Sequence, residues 1–408
     1  MTIAAALTGP PGAAAAQPLQ SLQNALRAGL RSAGAATGAD VVDLTTGQTL
    51  YSARSGTGRL PASVEKLYTT STALARFGAN TTLKTSVRAT GSLDASGIWH
   101  GILYLKGAGD PTFGSASYDH FAYGGGATIQ RLVSNLIRQT GIRAFRGAVV
   151  GDESVLDSLR GTPATGYGFS SYVEGVLSGL AYDRGFADEQ GSTIQTSPPL
   201  FTAQRFVDAL RAAGVQVPHG THTRAGRAPS SSHLLATVNS PRMSTLVRLT
   251  NTPSDNFFAE MLLKDLGARF GGRGSTAGGV GVVRSQLASS FGIRPRLDDG
   301  SGLSRNDVTS PRDVVTLLST LAGNQPFVDS LAVAGVSGTL QAGLQGTAAE
   351  GRCRGKTGSL HDVANLVGYC TARDNHRLAF AFLMNGVDPT AGHALEDQMA
   401  VALARYDG

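Results

Sequence analysis

Leu19, Leu22, Leu26 and Leu30 recur at three- and four-residue spacing, so an amphipathic helix is expected over 19–33. The period then drops to two. Val41, Val42 and Leu44, a Thr46-Gly47 turn, and Leu50 with Tyr51 read as a hairpin over 39–54. Pro61-Ala62-Ser63 opens a second helix, which buries Leu67, Leu74 and Phe77 and stops at Gly78. Paired strands are expected over 82–90 and 101–107, then a helix carrying Ile129, Leu132, Val133, Leu136 and Ile137, and a strand over 145–151. Residues 160–199 are rich in Gly, Ser and Thr and predict irregular structure, followed by a helix over 200–213. Long helical patterns return at 241–250, 254–269, 280–291 and 311–322, and three strand candidates follow at 351–357, 363–372 and 377–385.

The two ends of the chain thus supply the helices and strands of one sheet, and a mixed block separates them. The pattern predicts an α/β (α+β) protein. Residues 17–80 and 236–408 form one discontinuous domain, and 81–235 an inserted α+β domain.

Composition sharpens this. The chain has 408 residues, 41% hydrophobic and only 16% charged, which suits a packed core and excludes a charged disordered tail. Its 53 glycines follow no G-X-Y period, so they mark turns rather than collagen. The net charge is +6, yet only five of the 35 basic residues are lysines: Lys66, Lys84, Lys106, Lys264 and Lys356. Arginine stays charged, whereas a lysine with a depressed pKa can lose its proton. The basic residues are scattered and not interleaved with aromatics, which argues against a nucleic-acid partner. No apolar run reaches 18 residues, so no transmembrane span is expected. Cys353 and Cys370 lack metal-ligand spacing, His219 and His222 have no adjacent acidic partner, and Gly107-Ala108-Gly109 does not continue as a dinucleotide fingerprint. Neither a metal nor a cofactor is expected. Ala14-Ala15-Ala16 before Gln17 look like a signal-peptidase site, so residues 1–16 read as an export-signal remnant or a flexible tail.

Three short motifs carry candidate chemistry. Ser63-Val64-Glu65-Lys66 sets a hydroxyl and an amine one helical turn apart. A serine becomes nucleophilic when an adjacent base takes its proton, and lysine is such a base once its pKa is lowered. Ser254-Asp255-Asn256 precedes a periodic helix (Phe258, Met261, Leu262, Leu266). Lys356-Thr357-Gly358-Ser359 ends a strand candidate, where glycine allows close backbone approach and the hydroxyls suit a carboxylate. Each has a plain alternative: a solvated helix face, a helix N-cap, a strand-to-turn transition. A second S-x-N, Ser304-Arg305-Asn306, lies in a polar loop. Together and in this order, the three are the motif set of penicillin-binding proteins and class A β-lactamases.

With LKGAGDPTFG (105–114), VVGDESVLD (149–157), SDNFFAEMLL (254–263), DGSGLSR (299–305), SGTL (337–340) and GTAAEG (346–351), the chain resembles the S13 serine peptidases. These are D-alanyl-D-alanine carboxypeptidases/endopeptidases, the class C penicillin-binding proteins. The resemblance implies a transpeptidase-like fold, an antiparallel sheet flanked by helices. It implies Ser63 as acylated nucleophile, Lys66 as base, Ser254 as proton relay and Asn256 as a holder of substrate backbone. Lys356 would supply electrostatics, with Thr357, Gly358, Ser359 and Leu360 along the substrate and the backbone N–H groups of Ser63 and Ser359 as oxyanion hole. It implies peptidoglycan stem peptides as substrate, β-lactams as covalent inhibitors and an extracytoplasmic, cell-wall-associated setting. A β-lactamase or esterase on the same scaffold, or an inactive wall-binding protein, are the alternatives.

Two features depart from the family pattern. The 187-residue gap between Lys66 and Ser254 leaves room for one inserted domain rather than two, and KTGS stands where KTGT is usual. Glu65 is expected to be solvated or on the far side of its helix. A hairpin of 351–357 with 363–372 that pairs Lys356 with Val367 also pairs Cys353 with Cys370. A disulfide is then geometrically possible, the alternative being two buried thiols.

Overall fold

The computed structural model describes residues 19–188 and 190–408, and the reading of residues 1–16 as an export remnant lies outside them. The described chain opens with α1 (Leu19–Ser32), β1 (Thr37–Asp43) and β2 (Thr49–Ala53). A 3₁₀ turn, Ala62–Glu65, runs directly into α2 (Lys66–Phe77). β3 (Lys84–Leu93), β4 (Ile98–Lys106), α3 (Ala116–Tyr123), α4 (Ile129–Thr140) and β5 (Ala144–Asp152) follow. After an irregular stretch come α5 (Pro198–Ala212), β6 (His222–Ala225) and β7 (His233–Asn239). Next are α6 (Met243–Asn251), α7 (Asn256–Phe270), α8 (Thr276–Phe291), α9 (Pro311–Leu321) and the single turn α10 (Gln325–Val328). The short β8 (Ala332–Val333), β9 (Cys353–Leu360), β10 (Val363–Thr371), β11 (Arg377–Asn385) and α11 (Pro389–Arg405) end the chain.

Two sheets result. β2-β1-β11-β10-β9-β8 is antiparallel throughout. β6-β5-β4-β3-β7 is mixed, with β4–β5 and β5–β6 parallel. Strand alternation gives the six-stranded sheet two apolar faces. Phe380, Phe382 and Met384 of β11 pack with Leu26 of α1 and Leu403 of α11 on one side. Ala379, Ala381 and Leu383 pack with the α2 and α6–α9 helices on the other. The five-stranded sheet has its own core, where Leu132 and Leu136 of α4 and Phe206 and Leu210 of α5 cover Val87, Leu103 and Val149.

β7 pairs with β3 from His233 through Asn239, so a boundary at 235 falls inside a strand of the second sheet. HLLATVN has too mixed a pattern to announce its partner, and only the non-local pairing with β3 identifies it. The sequence reading also assigns nothing to 389–405. Small residues blunt the pattern of α11, although Asp388 as N-cap with Pro389 behind it was a usable start signal. Among the described residues no helix is long and apolar enough to cross a membrane.

Candidate active site

The site begins at a strained turn. A 3₁₀ turn eclipses residues three apart, so Ser63 and Lys66 share one face. Ala62, just before the serine, holds φ +46°, which a non-glycine residue rarely adopts. Side chains from the sheet clamp the approach to it. Asn365 Nδ2 donates to the carbonyls of Leu60 (3.0 Å) and Pro61 (2.8 Å), and Asn385 Oδ1 accepts from Leu60 N–H at 2.8 Å. Two glycines permit the close fit. A Cβ at Gly358 would sit 2.6 Å from the Pro61 carbonyl, and one at Gly302 only 1.8 Å from that of Ala62.

Lys66 is fully buried. Its Nζ lies 2.7 Å from Ser63 Oγ, 2.6 Å from Asn256 Oδ1 and 2.9 Å from the Ser301 carbonyl, and it forms no ion pair among the described residues. Burial lowers its pKa to about 8; the charge of Asp299, then of Glu174, Asp255 and Glu260, opposes the shift. Loss of the proton reverses the serine contact, so that the Ser63 hydroxyl donates to the amine.

The second and third motifs meet at Lys356. It is also fully buried, and its Nζ donates to Ser254 Oγ at 2.7 Å and to the Thr357 carbonyl at 2.8 Å. Burial, reinforced by the Lys66 charge, holds its pKa well below the usual lysine range. Ser254 sits at φ +68°, outside the helix it precedes. Asp255 is the N-cap of α7, accepting from Phe258 N–H at 2.8 Å while binding Arg184 at 2.5 and 3.1 Å. Asn256 Nδ2 donates to the Tyr172 carbonyl at 2.7 Å, and its backbone N–H donates to Glu174 Oε2 at 2.9 Å. The irregular 160–199 stretch therefore forms one wall of the site.

β9 lines the opposite wall. β8 pairs only with Arg354 and Gly355, so no described strand covers the outer edge of Lys356–Leu360. Alternation turns Lys356 and Gly358 toward α2 and the serine turn. Cys353, Thr357 and Ser359 lie on the other face. Thr357 Oγ1 donates to Thr339 Oγ1 at 2.8 Å, Ser359 is exposed, and Leu360 is half-exposed at the strand end. The β9–β10 register pairs Lys356 with Val367 and Cys353 with Cys370, and the two cysteines are joined in a disulfide.

Glu65 is not solvated, the first of its two expected placements. It is fully buried, because the loop over 299–307 covers the side of the turn that the sequence left to solvent. Burial and the charges of Asp307, Asp299 and Glu260 push its carboxyl well above the usual range. That loop is built on Asp299, which accepts from the N–H groups of Ser301, Gly302 and Ser304 at 3.1, 2.7 and 2.8 Å. Glu260 Oε1 accepts from Gly300 N–H at 3.0 Å, and burial raises its pKa to about 8. The loop in turn aims the Ser301 carbonyl at Lys66. The competing Ser304-Arg305-Asn306 is internal to this loop, with Ser304 Oγ on Asp298 at 2.5 Å.

Sequence reasoning missed Asn365, Asn385, Ser301, Tyr172 and Glu174. The two asparagines had a signal, since each is a polar residue in or ending an otherwise apolar strand, VANLVGYC and RLAFAFLMN. The others contribute backbone carbonyls or reach the site through long-range packing, and carry none.

The family model described as "D-Ala-D-Ala carboxypeptidase 3 (S13) family" matches residues 19–178 and 186–406. A D-alanyl-D-alanine carboxypeptidase of Actinomadura sp. is 30% identical, covering 92% of this chain and 82% of that protein. Carboxypeptidase DacB of Mycolicibacterium smegmatis is also 30% identical, over 88% of this chain and 79% of its own. In fold, the crystal structure of penicillin binding protein 4 from Haemophilus influenzae matches with a TM-score of 0.76 at 20% identity, covering 95% of this chain and 99% of that one.

Proposed function

The chain belongs to the D-Ala-D-Ala carboxypeptidase 3 (S13) family and is a serine-type D-Ala-D-Ala carboxypeptidase; from that premise we propose how its own residues divide the work. Ser63 is the nucleophile. Lys66, neutral in part near neutral pH, takes the hydroxyl proton as Oγ attacks the penultimate D-Ala carbonyl. The backbone N–H groups of Ser63 and Ser359 receive the developing oxyanion. Ser254 passes a proton from the lysine pair to the departing amine, and the D-alanine leaves. Water then hydrolyses the Ser63 ester.

A substrate backbone fits the uncovered edge of β9 as an added strand, held on its other side by Asn256. Lys356 has no carboxylate partner among the described residues, so the terminal carboxylate of the substrate supplies the counter-charge that its buried amine lacks, with Ser359 as a hydroxyl donor and Thr357 as another once its hydrogen turns from Thr339 Oγ1. Leu360 borders the substrate side chain. The single observation that carries this reading is the 2.7 Å contact between Lys66 Nζ and Ser63 Oγ, with the amine buried and its pKa brought down to about 8.

Peptidoglycan stem peptides are the proposed substrate, and cross-linked peptides a second one through DD-endopeptidase action. β-Lactams acylate Ser63. Their ester persists, because the opened β-lactam stays attached where D-alanine would have departed and keeps water from the ester carbonyl. The enzyme is proposed to act outside the cytoplasm, at the cell wall. The block from residue 81 to the end of β7 is proposed as one inserted unit whose Tyr172–Glu174 segment shapes the substrate cleft.

Digestion of stem pentapeptides ending in D-Ala-D-Ala tests this. Loss of one alanine per peptide, abolished in Ser63→Ala, is the expected result. Rapid penicillin hydrolysis with intact pentapeptide would instead identify a β-lactamase.

A further inference from the structure

α11 brings to the same cleft a side chain that none of the motifs contains. Ser359 Oγ lies 2.8 Å from His393 Nε2, and His393 Nδ1 lies 2.7 Å from Glu396 Oε2. Glu396 is 2% exposed, His393 36%, and Ser359 is open to solvent. A buried carboxyl, an imidazole and a surface hydroxyl thus run in line from the core to the carboxylate end of the site. Two periodicities produce this. Ser359 falls on the α11 face of β9, and a spacing of three sets His393 and Glu396 on one side of the helix.

We infer that His393 is a positioning residue that sets which way the Ser359 hydroxyl points, and so makes recognition of the substrate's terminal carboxylate depend on its protonation. The inference rests on the proposed contact between Ser359 and that carboxylate. In the imidazolium form both ring N–H groups donate, Nδ1 to Glu396 and Nε2 to Ser359 Oγ. The serine hydrogen is then free to point into the cleft and donate to the carboxylate. In the neutral form Glu396 keeps the proton on Nδ1, and Nε2 becomes an acceptor. The serine hydrogen turns back to the ring, and only oxygen lone pairs face the substrate carboxylate. One proton is gained or lost, and no other bond changes. A serine needs such a holder more than a threonine does, because it lacks the β-methyl group that restricts χ1.

The groups around His393 favour the charged form. The Glu396 hydrogen bond raises its pKa, burial opposes, and the charges of Glu396 and Asp397 raise it further. Burial pushes Glu396 up to about 7, so the two titrate as a pair. Of the neighbouring elements, β9 offers Ser359, while Lys356 of the same strand is turned away to Ser254. β10 offers Ala364, against which Gly392 packs. The β9–β10 turn is tied to the lead-in of α11 by Gly386 N–H donating to the Asp362 carbonyl at 2.8 Å. It adds His361 and Asp362, the latter paired with Arg305.

The test is the pH dependence of KM for a peptide ending in D-Ala-D-Ala, read apart from kcat, which carries the Lys66 titration. In the wild type KM rises about tenfold as pH increases through the His393 titration, the factor expected of one misdirected hydrogen bond to a charged group. His393→Leu, which offers Ser359 Oγ neither a donor nor an acceptor, loses the pH step in KM. His393→Gln, whose amide nitrogen still donates, shows the low KM with no pH step. If Ser359→Ala leaves KM unchanged, the carboxylate contact itself is wrong. If Ser359→Ala raises KM while both His393 variants keep the wild-type profile, that contact stands and the role of His393 is refuted.

Discussion

Lys66 is where the chemistry depends on a single group. Its three contacts are an alcohol, an amide oxygen and a backbone carbonyl, and none stabilises an ammonium as a touching carboxylate would. Burial therefore wins over the more distant acids and brings the pKa to about 8. The base form is the deprotonated one. Acylation of Ser63 should thus slow about tenfold per pH unit below about 8 and level off above it; a penicillin acylation rate flat from pH 6 to 9 would contradict the assignment. Lys66→Arg keeps the charge and removes the base. It should reduce kcat/KM by roughly 10²–10⁴, the usual contribution of a general base. Stopped-flow or radiolabel kinetics on the folded variant read both effects.

At the scale of elements, the site is held by backbone fit more than by side-chain reach. Gly358 lets β9 rest on the serine turn, and an alanine there puts a Cβ 2.6 Å from the Pro61 carbonyl. Gly358→Ala should cost acylation about 100-fold by moving the turn, with a stability loss of roughly 1–3 kcal/mol, measured by urea unfolding beside the acylation rate. The 299–307 loop makes a separate prediction. Burial and the Asp299 charge push Asp307 up to about 10, far above its value in the unfolded chain. The stability tied to its proton is present below the unfolded pKa near 4 and is lost as pH rises toward 10. Asp307→Asn should therefore gain on the wild type progressively from pH 5 to pH 10; parallel melting-temperature curves would contradict this. Much of this layer was legible in the sequence. The long helices announce themselves by period, and the K-T-G strand by its glycine and its flanking apolar runs. The 3₁₀ turn and the burial of Glu65 were not, because each depends on what packs against it, the 299–307 loop in the case of Glu65; helix α11 offered only its Asp388-Pro389 start, its small residues blunting the period.

Across the whole molecule, three pieces of chain separated by up to 235 residues converge on the Lys66 amine: the serine turn, Asn256 and Ser301. The motif residues could be found from the sequence because their chemistry needs those side chains in that order. Tyr172 and Glu174 could not, since they serve through a carbonyl and a backbone contact delivered by the block between the first two motifs. The edge of that block is hard to read for the same reason: residue 235 lies inside β7, a strand defined by its pairing with β3. The central claim is that this convergence makes Ser63 an acylated nucleophile. Mass spectrometry of the protein treated with penicillin, before and after proteolysis, tests it most directly. One long-lived penicilloyl adduct per chain is expected, located on Ser63 and absent from Ser63→Ala. An unmodified Ser63 peptide, or an adduct that survives in Ser63→Ala, would contradict it.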